Sequence, residues 1–203
     1  VRIATRAAGL AAAVLALAGC EAIIIGGAVL GGGLVATDRR TTGAQLEDQG
    51  IELKAAARIR DAATLGNVNA TSYNRLVLLT GEVPGEAEKA KVEQAVLQVE
   101  NVRGVVNELA VAGNSSVGSR SSDTLLSTKV KATFVDDKQL QANAFKVVAE
   151  RGNIYLMGRV SAAEANRAAE LASRVPGVQK VVRVVEVLSD AEAAAIQRQT
   201  APR

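Results

Sequence analysis

Cys20 is the only thiol in a chain of 203 residues that contains no histidine. An ionised thiol is a strong nucleophile, and its surroundings decide which chemistry it undergoes. Leu17-Ala18-Gly19 precede it, behind an apolar run from Ala7 to Ala18 and two arginines, Arg2 and Arg6. A basic start, a short apolar stretch and small residues before a cut are the layout of a secretory signal. Small residues there let a peptidase approach the backbone closely. The absence of histidine removes the commonest general base and the commonest metal ligand together. Carboxylates and lysines form no clustered pair along the chain. The expectation is therefore no catalytic residues, no metal site and no enzyme.

Ending on Leu-Ala-Gly-Cys, residues 1–20 resemble a bacterial lipoprotein signal. The resemblance implies that residues 1–19 are removed. It also implies that the Cys20 thiol takes a diacylglycerol and its freed amino group an N-acyl chain, with no other cofactor. An ordinary secretory signal followed by a chance cysteine is the alternative. Glu21 follows the cysteine. In enteric bacteria an Asp at that place favours inner-membrane retention, so attachment to the outer membrane, facing the periplasm, is expected.

Removing residues 1–19 leaves 184, enough for one ordinary domain or two small ones. Two arginines and no acids are lost, which leaves 22 basic against 21 acidic residues and a formal charge of +1. With one cysteine no internal disulfide can form, so packed cores must supply the stability. Aromatics are 2% and Trp is absent, so Ala, Val and Leu fill those cores. Ala22 to Ala36 is apolar and has 15 residues, five of them glycine. A span needs about 20 residues, and each glycine weakens a helix by about 0.8–1 kcal/mol relative to Ala. The stretch reads as a membrane-proximal tether within residues 20–44.

The remainder holds an internal repeat. Val77-Leu78-Leu79-Thr80-Gly81-Glu82-Val83 matches Ile154-Tyr155-Leu156-Met157-Gly158-Arg159-Val160, 77 positions later. Val99-Glu100-Asn101-Val102-Arg103-Gly104-Val105-Val106 matches Val175 to Val182, 76 positions later. The one-residue change falls at the start of the intervening helix. Residues 113–122, rich in Gly and Ser, read as a linker between repeats at 45–112 and 123–189, with 190–203 a polar tail.

Each repeat reads helix, strand, strand, helix, strand. First helices are expected at about 47–61 and 123–135, the second with Asp123 as N-cap and with Leu126, Val130 and Phe134 as its inner stripe. Hairpins turn near Asn74-Arg75 and at Arg151-Gly152-Asn153. Second helices follow at about 86–100 and 162–174, then Val-rich strands at 102–111 and 178–188. The fold class is α+β, with helices covering a small mixed sheet in each repeat. Gly81 and Gly158, one per repeat, read as strand-end or close-packing glycines rather than a phosphate loop. Export, and the lack of a basic run with interleaved aromatics, argue against nucleic acid.

The paired strand motifs, the helices after them and the Val-x-x-Val-Val strands resemble two tandem BON domains. With Cys20 and the Ala36-Thr37-Asp38-Arg39-Arg40-Thr41-Thr42-Gly43 segment, the order resembles the dual-BON outer-membrane lipoproteins of Gram-negative bacteria. Asp123 to Val130 and Ala172 to Val178 are especially similar to the second domain of that family. The resemblance implies binding of an anionic phospholipid surface through the first helix of the second domain, and support of envelope integrity and cell division. Carried over, the phospholipid-binding residues are Leu125, Thr128, Lys129, Ala132 and Lys131. Where this chain has Leu125 the family has an aromatic; Leu can insert but lacks the ring that favours the headgroup level.

The helical phase points to the same place independently. At about 100° per residue, Leu125 lies about 140° from the Leu126 stripe and faces outward, with Lys129 one turn on. An exposed Leu beside lysines suits an anionic surface. Aligning Gly50 with Asp123 puts Glu52 at the equivalent place in the first repeat, where an anionic surface would repel it. A periplasmic scaffold for envelope assembly or division proteins is the alternative function.

Overall fold

Two hairpin turns fix the geometry of the molecule, and one carboxylate holds each. The computed structural model describes residues 38–63, 66–189, 191–193 and 195–196. The signal, Cys20 and the 22–36 stretch lie outside the described residues, as does most of the 190–203 tail. The first repeat contains α1 (Thr42–Ala62), β1 (Asn67–Tyr73), β2 (Leu76–Val83), α2 (Glu86–Leu97), β3 (Gly104–Asn107) and β4 (Ala110–Val111). The second contains α3 (Val117–Asp136), a 3-10 turn, β5 (Phe145–Glu150), β6 (Asn153–Ser161), α4 (Ala162–Ser173) and β7 (Lys180–Leu188). Both copies thus have the expected order. Each has an antiparallel hairpin and then a parallel crossover through a helix, with the second strand central in its sheet.

Both first helices start earlier than expected. α1 is capped by Thr41, whose hydroxyl accepts from Ala44 N–H at 3.1 Å. α3 is capped by Ser116, which accepts from Ser119 N–H at 3.1 Å. Residues 117–122, read as linker, are the opening turns of α3. Their hydroxyls are satisfied inside the helix, as when Ser121 and Ser122 donate to the Val117 and Gly118 carbonyls.

Asp123 is therefore not an N-cap. It lies buried inside α3 and accepts from Arg151 N–H at 2.9 Å and Gly152 N–H at 2.8 Å. Asp48 does the same from α1, accepting from Asn74 N–H and Arg75 N–H at 2.8 Å each. Both turns have positive φ at their two central residues: 50° and 67° at Asn74 and Arg75, 54° and 75° at Arg151 and Gly152. This is the type I′ geometry that suits strand twist but strains residues with a Cβ. The carboxylates offset that strain by satisfying the turn N–H groups.

Side chains alternate along the central strands. Val77, Leu79 and Val83 join Ile51, Ala55, Ile59, Val92 and Val96 in the first core. Ile154, Leu156 and Val160 join Leu126, Val130, Phe134, Ala165, Ala168 and Ala172 in the second. The opposite strand faces carry Tyr73 and Leu78 in one sheet and Tyr155, Met157 and Val184 in the other, and these form a third buried cluster. The order of layers is helices, sheet, sheet, helices. α1 and α3 therefore cover opposite sides of the molecule.

Gly81 and Gly158 are close-packing positions. A Cβ on Gly81 would sit 1.9 Å from the Asn67 carbonyl oxygen, and one on Gly158 would sit 2.6 Å from that of Ala144. The extra residue of the first repeat is Pro84, just before the N-cap Gly85 of α2, where the change of spacing was expected; in the second repeat the N-cap Ser161 follows Val160 directly.

Candidate lipid-binding site

The stripe Leu126, Val130 and Phe134 holds α3 to its sheet, with Phe134 edge-on to Phe145 at 5.5 Å between ring centroids. That packing dictates what the other side of α3 presents. Leu125 is 63% exposed, and Thr128, Lys129, Lys131 and Ala132 are also exposed. At about 100° per residue, Leu125, Thr128, Lys129 and Ala132 fall on one outward arc, with Lys131 at its rim. Val117 and Val135 lie on the same arc and are exposed, a pair that sequence reading missed. Val117 sat in the supposed linker, and Val135 is the last apolar residue of α3. From Val117 to Val135 the face runs about 27 Å.

Arg120, Lys129 and Lys131 are the cations of α3, against Asp136 as its exposed acid. Lys129 and Lys131 form no ion pair among the described residues. Beside Leu125 and Lys129 opens a groove of about 800 Å³, lined also by Ser119, Ser122, Arg151 and Gln179.

The first repeat does not match the expected alignment. Asp48 and Asp123 do the same work, so Gly50 is equivalent to Leu125, and Ile51, Ala55 and Ile59 are equivalent to the buried stripe of α3. Glu52 is not an exposed acid at the Leu125 position. It accepts from Ser72 N–H at 2.7 Å and from Lys146 Nζ at 2.8 Å, between the repeats. α1 also exposes leucines, Leu46 at 59% and Leu53 at 75%. The two helices differ in charge balance: α1 carries Lys54, Arg58 and Arg60 against Glu47, Asp48, Glu52 and Asp61, whereas the three cations of α3 face only Asp123 and Asp136. On α1 Lys54 is paired with Glu100 at 2.8 Å, while Arg58 and Arg60 are exposed.

Among the described residues no helix is long and apolar enough to cross a membrane. Among them, too, no three of His, Cys, Asp and Glu gather as a metal site.

The BON domain family matches residues 47–113 and 122–189. Outer membrane lipoprotein DolP of Haemophilus influenzae is 40% identical over 179 residues, covering 87% of this chain and 92% of that protein. The 21 kDa hemolysin of Actinobacillus pleuropneumoniae is 31% identical, covering 73% and 78%. With two family matches on two copies of one helix–hairpin–helix–strand unit, the chain belongs to the BON-domain family, in the two-domain group that includes outer membrane lipoprotein DolP.

Proposed function

We propose that this is a lipid-anchored protein of the outer membrane, facing the periplasm, that lays α3 on an anionic phospholipid surface. Binding, not catalysis, is its activity, in support of envelope integrity and division. Cys20 carries the diacylglycerol and N-acyl chain. The observation that carries the α3 assignment is Leu125, exposed on a helix face with unpaired Lys129 and Lys131. The similarity to the outer membrane lipoprotein of H. influenzae supports the location.

Magnitudes limit what α3 does alone. Burying one Leu side chain contributes about 2 kcal/mol, and each Lys near an anionic surface about 1 kcal/mol. The total, about 4 kcal/mol, corresponds to a dissociation constant near 1 mM. α3 orients a body that the acyl chains hold.

The deciding experiment is co-sedimentation of a form lacking residues 1–20 with phosphatidylglycerol vesicles. Leu125→Glu should lose binding while melting like the parent, since an exposed substitution costs within about 0.5 kcal/mol. Leu53→Glu, on the opposite side, should bind as the parent does. If Leu53→Glu abolishes binding and Leu125→Glu does not, the lipid face is α1. If neither matters and a defined protein crosslink appears instead, the scaffold reading replaces this one. Co-fractionation of the full protein with inner-membrane markers would overturn the location.

A further inference from the structure

The two arginines after Asp38 point to different domains. Arg39 is 5% exposed and reaches the second. Its Nη1 donates to Glu164 Oε2 at 2.8 Å and to the Arg159 carbonyl at 3.2 Å. Its Nη2 donates to Glu164 Oε1 at 2.6 Å and to Gln141 Oε1 at 3.3 Å. One planar fork thus holds both carboxylate oxygens, the strong form of this pairing. Glu164 is fixed in turn, because it closes the capping box of α4 with Ser161. Burial works against its charge, but the Arg39 fork and the Ser161 N–H outweigh that and hold its carboxyl below the usual range.

Arg40 turns to the first domain. It donates to Asp38 Oδ2 at 2.7 Å and to Asp48 Oδ2 at 2.8 Å, and its guanidinium lies 4.2 Å from the centroid of the Tyr73 ring. Asp48 holds the first hairpin turn. Tyr73 belongs to the buried cluster between the sheets and donates its hydroxyl across the seam to the Ala144 carbonyl at 3.4 Å.

We propose that Asp38-Arg39-Arg40 is a two-sided clasp, Arg39 gripping the second domain and Arg40 the first, which keeps the two sheets closed on each other. Arg39 is the positioning residue. Of the other ion pairs across the seam among the described residues, Lys146–Glu52 and Arg103–Glu186 have both partners partly exposed, so solvent screens them and they weigh little. Arg151–Glu82 sets a half-exposed cation on a buried carboxylate at 3.4 Å, a single contact and no fork. Arg39–Glu164 alone among them joins bidentate geometry to near-complete burial of the cation, and breaking such a pair leaves an uncompensated charge.

The chain itself supplies the reporter. It has two tyrosines and no Trp, and both tyrosines, Tyr73 and Tyr155, are buried in the seam. Burial pushes both hydroxyls up to about 12. The test is Arg39→Ala in the full chain, reading tyrosine fluorescence quenching by acrylamide at neutral pH and spectrophotometric ionisation at high pH. Quenching should rise several-fold, and ionisation should move toward the ordinary value near 10. Far-ultraviolet dichroism should stay at the parent level, because the capping-box bonds of α4 run between Glu164 and Ser161 and do not pass through Arg39. A Tyr73→Phe background leaves Tyr155 as the sole reporter, away from Arg40. If Tyr155 is as shielded with Arg39→Ala as without it, the segment is a local prop and the clasp is refuted. Should Arg39→Ala not fold, Arg39→Lys, which keeps the charge and loses the fork, must give the same change at smaller size. An unchanged Tyr155 in that variant refutes the clasp equally.

Discussion

Asp48 and Asp123 show how much one side chain decides here. Each is buried and receives two turn N–H groups, and each thereby permits positive φ where the chain has Asn, Arg and Arg again. Hydrogen bonds to a charged group contribute about 1.5–3 kcal/mol each, so Asp123→Ala should cost about 2–4 kcal/mol in thermal or denaturant unfolding. A lost N-cap would cost about 1 kcal/mol, so the size of the effect separates the two roles. Burial opposes the charge of Asp48, but the Ser72 hydroxyl, the Asn74 and Arg75 amides and Arg40 prevail and hold its carboxyl below the usual range. Its contribution is then complete above the unfolded value near 3.9 and is lost as pH falls through the lower folded value. Stability should decline below about pH 4, and Asp48→Asn should flatten that decline. Glu150 has the opposite sign. Burial first, then the charges of Glu82 and Asp123, raise its carboxyl. Ionising it works against the fold as pH rises through that value. Glu150→Gln should raise the melting temperature at pH 7 and lose the gain at pH 4.

At the scale of elements, period and repetition carry most of the information. Leu126, Val130 and Phe134 recur every four residues, and all three are buried. Truncating a stripe residue, as in Leu126→Ala, should cost about 2–5 kcal/mol. The two glycines should differ. Gly81→Ala meets a carbonyl at 1.9 Å and needs φ near +111°, so the first domain should fail to fold or melt far lower. Gly158→Ala meets its carbonyl at 2.6 Å with no positive φ, so a measurable but smaller loss is expected. Helix starts were less legible. Ser116 to Ser122 has the composition of a linker and no apolar period, and the carbonyls that satisfy the Ser121 and Ser122 hydroxyls, four residues back, are in place only once the helix has formed. The seam was hidden for a related reason. Leu78, Tyr155 and Met157 read as the outer face of a one-sided sheet until a second sheet covers them. The repeat offset hid the Asp48–Asp123 equivalence. First helices stand 75 apart and strands 77, whereas pairing Gly50 with Asp123 uses a shift of 73, and that placed Glu52, not Gly50, opposite Leu125.

The layer order sets what the whole molecule can do. Because α1 and α3 lie on opposite sides, a flat bilayer meets one of them at a time, and the exposed leucines of the other stay turned away. Under the proposed function α3 contributes only about 4 kcal/mol and firm residence requires the acyl chains, since two anchoring signals hold where one is marginal. Linking the two raises the effective concentration of α3 at the surface without any new contact. Cys20→Ser should therefore abolish acylation and move most of the protein to the soluble fraction. What remains bound should be salt-sensitive, because the Debye length falls from about 10 Å at 0.1 M to about 3 Å at 1 M. Leu125→Glu in that background should remove the remainder. In the acylated protein the same substitution should leave the protein in the membrane fraction and change only its lipid contact, read by quenching of a fluorophore placed on α3 with labelled lipid. Retention of Cys20→Ser in the membrane at the parent level, after deletion of residues 22–36 as well, would mean that the body and not the acyl chains holds the protein. The ranking of anchor over helix would then be reversed.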